Sequence, residues 1–398
     1  MVRRRELLKA IGLATALNSV PRFAFAKTAT SSRFVLVVLR GAADGLAIAA
    51  PYGDGNYVEV RGELALPPPG TESGLQKLDG LFGLHPSLAS TYTLFQSGEA
   101  LIAHAIASPY RERSHFDGQD LLENGASRVA ALRDGWLNRA LARTGGSTPQ
   151  AIALAQNAPL VLRGDNAITS WAPSRLPDAD DSTIRRLQNL YADDEFFASR
   201  LEQALASQDI ASGMGEVKNQ RSRGNEARQF GELMSAAARF LTADDGPSIA
   251  VLELGGWDTH ANQGTTQGPL ANRLAGLDTG IDKLRVGLGP AWRQTVVAVV
   301  TEFGRTVHVN GTRGTDHGTA TAAILAGGAV QGGRVVADWP GLRASDLYAG
   351  RDLQPTTDLR SLFKSVLLEH LAVPRGFIED TVFPDSRAAA PLEKIIRT

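Results

Sequence analysis

Residues 296–305 read VVAVVTEFGR. An unbroken apolar run rich in valine marks a strand buried on both faces, as inside a parallel sheet. The run ends in an acid, Glu302, with Arg305 three residues further on. Upstream, residues 251–260 read VLELGGWDTH: an apolar run, two glycines, then Asp258 and His260. Downstream, residues 314–318 read GTDHG and set Asp316 and His317 between glycines. The first two motifs place carboxylate or imidazole groups just past the carboxyl end of a strand, the edge where open α/β sheets bind ligands.

The rest of the chain extends this pattern. Residues 34–39 (FVLVVL) form another continuous apolar run, followed by a glycine-bounded turn that carries Asp44. Residues 101–107 read as a strand leading into SPYRERSHFD (108–117), a segment dense in reactive groups. Short strands are expected at 151–155 and 160–162, and buried strands at 248–254 and 295–301. Residues 322–325 (AAIL) begin a further short strand or a helix. Helices are expected from Pro86 to about residue 96, over 135–145, over 269–288, and over 357–371 with Thr357 as N-cap. Residues 181–242 are polar, alanine-rich and helical in period, which suggests a helical insertion or cover within one domain over 27–398. Strands alternating with helices predict an α/β fold: a doubly wound, mostly parallel sheet with helices on both faces.

The N-terminus reads as an address. Arg4 and Arg5 open a twin-arginine pattern, a short apolar stretch follows, and residues 24–26 (AFA) form a cleavage site. The expected signal is 1–26, taken to the periplasm or beyond by the twin-arginine export machinery. That stretch is too short for a stable anchor after cleavage. Residues 1–26 hold Arg3, Arg4, Arg5, Lys9 and Arg22 against Glu6, so their removal shifts the formal charge from −1 to −5. Neither value attracts nucleic acid in general. With no cysteine in the chain, disulfides and thiolate metal sites are excluded.

Asp44, Asp258, His260, Asp316 and His317 are the ligand types that hold a divalent metal: Zn, Mn, Mg or Ca. Each has a plainer reading as a turn former or helix cap. Glu302 is a ligand, a general base, or a partner of Arg305. Ser114 stands at a strand-to-helix junction, as a nucleophile near the positive helix end or as a simple N-cap. His115 is a ligand or a base, and Arg111 and Arg113 suit an anionic substrate. His104, within an apolar strand, reads as a satisfied core histidine, while Trp257 packs or walls the pocket.

Together the motifs resemble the DUF1501 family of exported proteins. The matching stretches are 38–45 (VLRGAADG), 113–116 (RSHF), 135–139 (GWLNR), 255–260 (GGWDTH), 301–306 (TEFGRT), 314–318 (GTDHG) and 355–360 (PTTDLR). The family in turn looks like a branch of the alkaline phosphatase-like, sulfatase-like superfamily. That resemblance implies a metal centre at the strand ends and transfer of a phosphoryl or sulfuryl group. It implies Asp44 as the first-strand metal carboxylate, Ser114 as nucleophile, and Asp258, His260 and His317 as ligands. Where the superfamily has an Asp-His pair, this chain has Glu302 and Phe303, so an imidazole is missing and Asp316 is the candidate replacement.

Two functions are thus expected as alternatives. One is a hydrolase of small anionic phosphate or sulfate esters, in which Arg113 and Arg305 neutralise developing charge. The other is a non-catalytic exported protein of the same fold, working in an assembly with a DUF1800 partner. The export expectation is tested by converting Arg4 and Arg5 together to lysine. The precursor should then stay in the cytoplasm, whereas the wild-type mature N-terminus, sequenced chemically, should begin at Lys27. Normal export of the double variant would overturn the expectation.

Overall fold

The apolar runs become neighbours in one sheet. The structure, a computed structural model, describes residues 32–144, 150–173, 181–211 and 225–397. The signal expected at 1–26 lies outside these residues. In chain order the strands are β1 (Arg33–Leu39), β2 (Ala49–Ala50), β3 (Gln76–Lys77), β4 (Gly83–Leu84), β5 (Ala100–Ala107), β6 (Ala151–Ala153), β7 (Thr169–Ser170), β8 (Ile249–Leu254), β9 (Thr295–Thr301), β10 (Thr321–Ala326), β11 (Arg334–Val336) and β12 (Thr357–Asp358). The main sheet has the order β11-β5-β10-β9-β1-β8-β6-β7, with β12 added beside β5, while β2, β4 and β3 form a small separate sheet. Main-sheet pairings are parallel except those of β10, which is antiparallel to both β5 and β9. Among the described residues no helix is long and apolar enough to cross a membrane.

Both faces of β1 are buried, as a continuous apolar strand requires. Val35, Val37 and Leu39 join Phe230, Met234 and Phe240 of the helix Asn225–Thr242 and Leu274, Leu277 and Ile281 of the helix Pro269–Leu288. Phe34, Leu36 and Val38 join Trp136 and Leu137 of the helix Trp136–Leu141 and Leu362 and Phe363 of the helix Leu359–Ser365. Each such side chain taken out of water contributes roughly 1.5–3 kcal/mol before the entropy of ordering it is subtracted. The 181–242 stretch is of two kinds. The helices Asp181–Tyr191 and Glu195–Ala211 lie largely at the surface, but Asn225–Thr242 is part of the core and leads into β8.

Register places the site. Leu39, Leu254 and Thr301, the last residues of β1, β8 and β9, stand side by side. β5 ends near the start of β10, where Thr321 pairs with Ile106. Four strands therefore deliver the chain to one edge, and β10 leaves from that edge in the opposite sense.

Three local expectations are corrected. Residues 160–162 form a 3₁₀ turn after Pro159; a short apolar run looks the same in a buried turn as in a strand. The helix expected from Pro86 starts at Ala89, because its first free N–H groups are claimed from another helix. Asp278 accepts from Ser90 N at 2.9 Å, and from Thr91 N at 2.8 Å and its hydroxyl at 2.7 Å. Thr357 is in β12, and Asp358 caps the following helix by accepting from Arg360 N at 2.9 Å.

Asp278→Ala should cost roughly 2–3 kcal/mol by leaving those helix-start donors unpaired in a buried place. A urea unfolding midpoint equal to that of the wild type would show that water replaces the carboxylate without loss.

Candidate metal centre

Loops from distant parts of the chain must approach closely to make a site at the sheet edge. Gly41, just past β1, has φ +116°, and a Cβ there would lie 2.6 Å from Asp258 N. Glycine alone fits such a position. A Cβ on Gly314 would meet the His260 carbonyl at 2.4 Å, so the 314–318 loop can lie flush against the 258–263 loop.

Asp258 is at the middle of the cluster. Its Oδ1 is 2.9 Å from His260 Nε2 and 3.2 Å from His317 Nε2, and its Oδ2 is 3.5 Å from His115 Nε2. The two Nε2 atoms of His260 and His317 are 3.0 Å apart. His115, Asp258 and His317 offer ligand atoms all within 4.8 Å of one another.

The other nitrogen of each ring decides what these atoms are. His317 Nδ1 is 3.0 Å from the carbonyl of Arg113, His260 Nδ1 is 3.1 Å from Asp316 Oδ1, and His115 Nδ1 is 2.7 Å from Glu302 Oε1. A carbonyl or carboxylate only accepts, so each Nδ1 carries a hydrogen, and in the neutral ring each Nε2 presents a lone pair. Three lone pairs and a carboxylate then face one another. Such a cluster repels itself unless a proton or a metal cation lies among the acceptors. His115 Nε2 is accordingly buried without a hydrogen-bond partner among the described residues. An imidazole whose far N–H is held by a carboxylate or carbonyl is the usual form of a metal-ligating histidine. The donor set thus fits a divalent cation.

The electrostatics agree. The hydrogen bond to Glu302 raises the His115 pKa above the ordinary imidazole value against the opposing effect of burial, and the charges of Glu302 and Asp258 add to the rise. Burial lowers the His317 value, partly offset by the Arg113 carbonyl. Burial pushes the Asp258 carboxyl up, but the hydrogen bond and charge of Arg305 outweigh it and hold the group below its usual range. Glu302 behaves likewise: burial is overcome by donors that include His115 and Gly41 N.

Several roles read from the sequence are placed differently. Asp44 is not at the cluster; it is buried, paired with Arg61 at 2.5 Å, bonded to Gln263 at 2.7 Å, and caps a short helix through Leu46 N. Asp316 stands behind His260, with Oδ1 shared between His260 Nδ1 and Asn310. Glu302 pairs with His115 instead of Arg305, and its oxygens also take Gly41 N, Gln119 and the Thr301 hydroxyl. Beside Glu302, where the sequence lacks an imidazole, His115 stacks on Phe303 with ring centroids 5.0 Å apart. Arg305 is buried and gives all three guanidinium nitrogens to Asp258 and Thr315, so it holds Asp258 and has no nitrogen left over for a substrate.

Ser114 occupies the N-cap position of the helix His115–Asn124, but its hydroxyl makes no capping bond. Arg113, with φ +62°, turns its carbonyl to His317 and its Nε to Asp352 at 2.8 Å. A left-handed arginine is strained, and here the strain serves that orientation. Arg111 is turned to the carbonyls of Ser108 and Tyr110. Trp257 is fully buried in the core. His104 is a satisfied core histidine: it bonds the carbonyls of Gly45 and Ala49, and burial lowers its pKa to about 4. Arg61, Gln263 and Thr315 escaped the sequence reading. Gln263, three residues past His260, offered the one faint signal.

The chain belongs to the DUF1501 family of proteins of unknown function, whose model matches residues 74–380. No curated protein matches it. Among solved structures, it is similar to a phosphonate monoester hydrolase of Agrobacterium radiobacter, with 13% identity and TM-score 0.37, covering 86% of this chain and 74% of that one. A protein in the alkaline phosphatase superfamily from Vibrio parahaemolyticus has 10% identity and TM-score 0.42, covering 86% and 66%. The PsFucS1 sulfatase from Pseudoalteromonas sp. has 12% identity and TM-score 0.40, covering 100% and 78%.

Glu302→Gln in ion-free protein should lower the His115 titration midpoint, read from its ring proton NMR signals. The folded value of His115 is raised, so its contribution to stability is full below about pH 6.5 and is lost as pH rises through the folded value. The stability gap between wild type and variant should therefore narrow from pH 6 to pH 8. An unmoved midpoint would separate His115 from Glu302.

Proposed function

We propose that this protein is an exported, metal-dependent hydrolase of phosphate or sulfate esters, acting in the periplasm or outside the cell. The observation that carries the reading is the convergence of three imidazole Nε2 atoms on Asp258, each with its Nδ1–H committed to an acceptor. His115, Asp258, His260 and His317 would hold the ion. Three imidazoles and one carboxylate suit zinc better than magnesium or calcium, which prefer oxygen donors. When bound, a divalent ion supplies Lewis-acid polarisation of the ester and a lower pKa for the attacking hydroxyl or water.

The chain's own residues supply the rest. Ser114 is flanked by two residues of the cluster: His115, whose Nε2 faces Asp258, and Arg113, whose carbonyl holds His317. Its hydroxyl is free of capping duty at the start of a ten-residue helix. First-turn N–H groups and the positive helix end there favour an anionic ester group beside the hydroxyl. Arg113, a quarter exposed and paired with Asp352 through Nε, would take an ester oxygen. In this reading Ser114 attacks phosphorus or sulfur, the ester oxygen leaves with a proton, and water later releases the covalent intermediate. Arg305 keeps Asp258 ionised, while Glu302 and Asp316 keep His115 and His260 turned inward. The twin-arginine pattern at Arg4 and Arg5 supports export of a protein folded around its ion.

Elemental analysis of purified mature protein, with a screen of aryl phosphates and aryl sulfates, tests this. Bound metal near one equivalent and turnover of at least one ester class are expected. Ser114→Ala should abolish turnover by several orders of magnitude while keeping the metal. Retained turnover would make water the nucleophile. Metal-free wild type that is inert to every ester would sink the reading in favour of a non-catalytic role in an assembly.

A further inference from the structure

A buried chain of hydrogen bonds runs behind Asp258 and ends at the turn after β1. Gln263 is fully buried. Its Nε2 donates to Asp44 Oδ2 at 2.7 Å, and its Oε1 accepts from the hydroxyls of Thr259 at 2.6 Å and Thr315 at 2.8 Å. The Thr315 hydroxyl accepts from Arg305 Nε at 3.0 Å, and Arg305 Nη1 donates to Asp258 Oδ1 at 2.5 Å. Arg61 closes the far end on Asp44 at 2.5 Å.

The direction of every bond follows from the first. Asp44, paired with a guanidinium, is an acceptor only. Gln263 must therefore turn its amide N–H to Asp44, which leaves the amide oxygen for the two threonines. Thr315 has one hydrogen, and that oxygen takes it. The hydroxyl can then meet Arg305 only as an acceptor, which orients the guanidinium. Reversing any one bond would set two donors or two acceptors face to face in a buried place, at a cost the other bonds do not offset.

We propose that Gln263 is a positioning residue for Asp258, acting through Thr315 and Arg305. It fixes the guanidinium, and the guanidinium fixes how Asp258 meets the three imidazoles. No member of the relay between Gln263 and Arg305 is a ligand. The inference rests on reading the cluster as a metal centre, but the relay also has a signature in the ion-free protein.

The test compares wild type with Thr315→Val, Thr315→Ser and Gln263→Met. Zinc affinity is measured by chelator competition. Exchange of the Arg305 Nε–H is measured by NMR on ion-free protein, with that signal assigned by its loss in Arg305→Lys. Thr315→Val and Gln263→Met should weaken zinc binding by about 10–100-fold, the usual cost of losing an outer-shell partner, and should speed Nε–H exchange. Thr315→Ser keeps the hydroxyl and should restore both. A merely structural role for the hydroxyl would lower melting temperature while leaving affinity and exchange unchanged, and that result overturns the proposal. If wild type binds no zinc, the metal reading fails separately. Arg305 exchange then decides: no change in either variant overturns the relay, and loss with serine rescue upholds it. Should Thr315→Val not fold, Thr315→Ala takes its place against the same Thr315→Ser rescue, with Gln263→Met beside it.

Discussion

Three imidazole Nε2 atoms turned toward one carboxylate are the constraint around which the neighbouring residues are arranged. Lone pairs on His115, His260 and His317 beside a carboxylate repel one another unless a proton or a metal cation lies among them. The surrounding residues keep the rings from escaping that encounter. Glu302, Asp316 and the Arg113 carbonyl each retain one Nδ1–H, and each would lose a good hydrogen bond if its ring flipped. Arg305 holds the carboxylate from the other side.

The sheet makes this possible by ending its strands together. Since β1, β8 and β9 finish in register, Gly41, Asp258 and Glu302 reach the same edge with few residues of slack. β5 adds the segment that carries Arg113, Ser114 and His115. β10 is antiparallel, so Asp316 and His317 arrive on the loop before a strand and not after one. The β9–β10 connection therefore contributes Glu302, Arg305, Asp316 and His317 from a single stretch of chain.

The layered α/β fold was legible because buried parallel strands are unbroken apolar runs, and 34–39, 249–254 and 295–301 have no other good reading. The helix at 269–288 was legible from its period. What failed was decided at long range. Nothing local to residues 86–91 announces that Asp278 caps a helix there. Asp258, His260 and His317, three of the cluster's four residues, stood out by type and by their glycine neighbours. Their division of labour with Asp44, Asp316 and Glu302 did not, because a carboxylate that binds a cation and one that holds a histidine are the same letter. Arg305 looked like a substrate contact for the same reason: burial, which turns it into the anchor of Asp258, is not written in the motif.

One consequence concerns how the chain is tied together. His115 and Asp258 belong to widely separated parts of the sequence, and Asp258 and His317 are a further 59 residues apart. The protein has no cysteine and hence no covalent staple between such segments. A cation gripped by these side chains would close the same large loops that a pair of disulfides closes elsewhere, reducing the freedom of the unfolded chain in the same way. Unlike a disulfide, such a fastening needs no oxidant to form. It could form in a reducing compartment as readily as in an oxidising one.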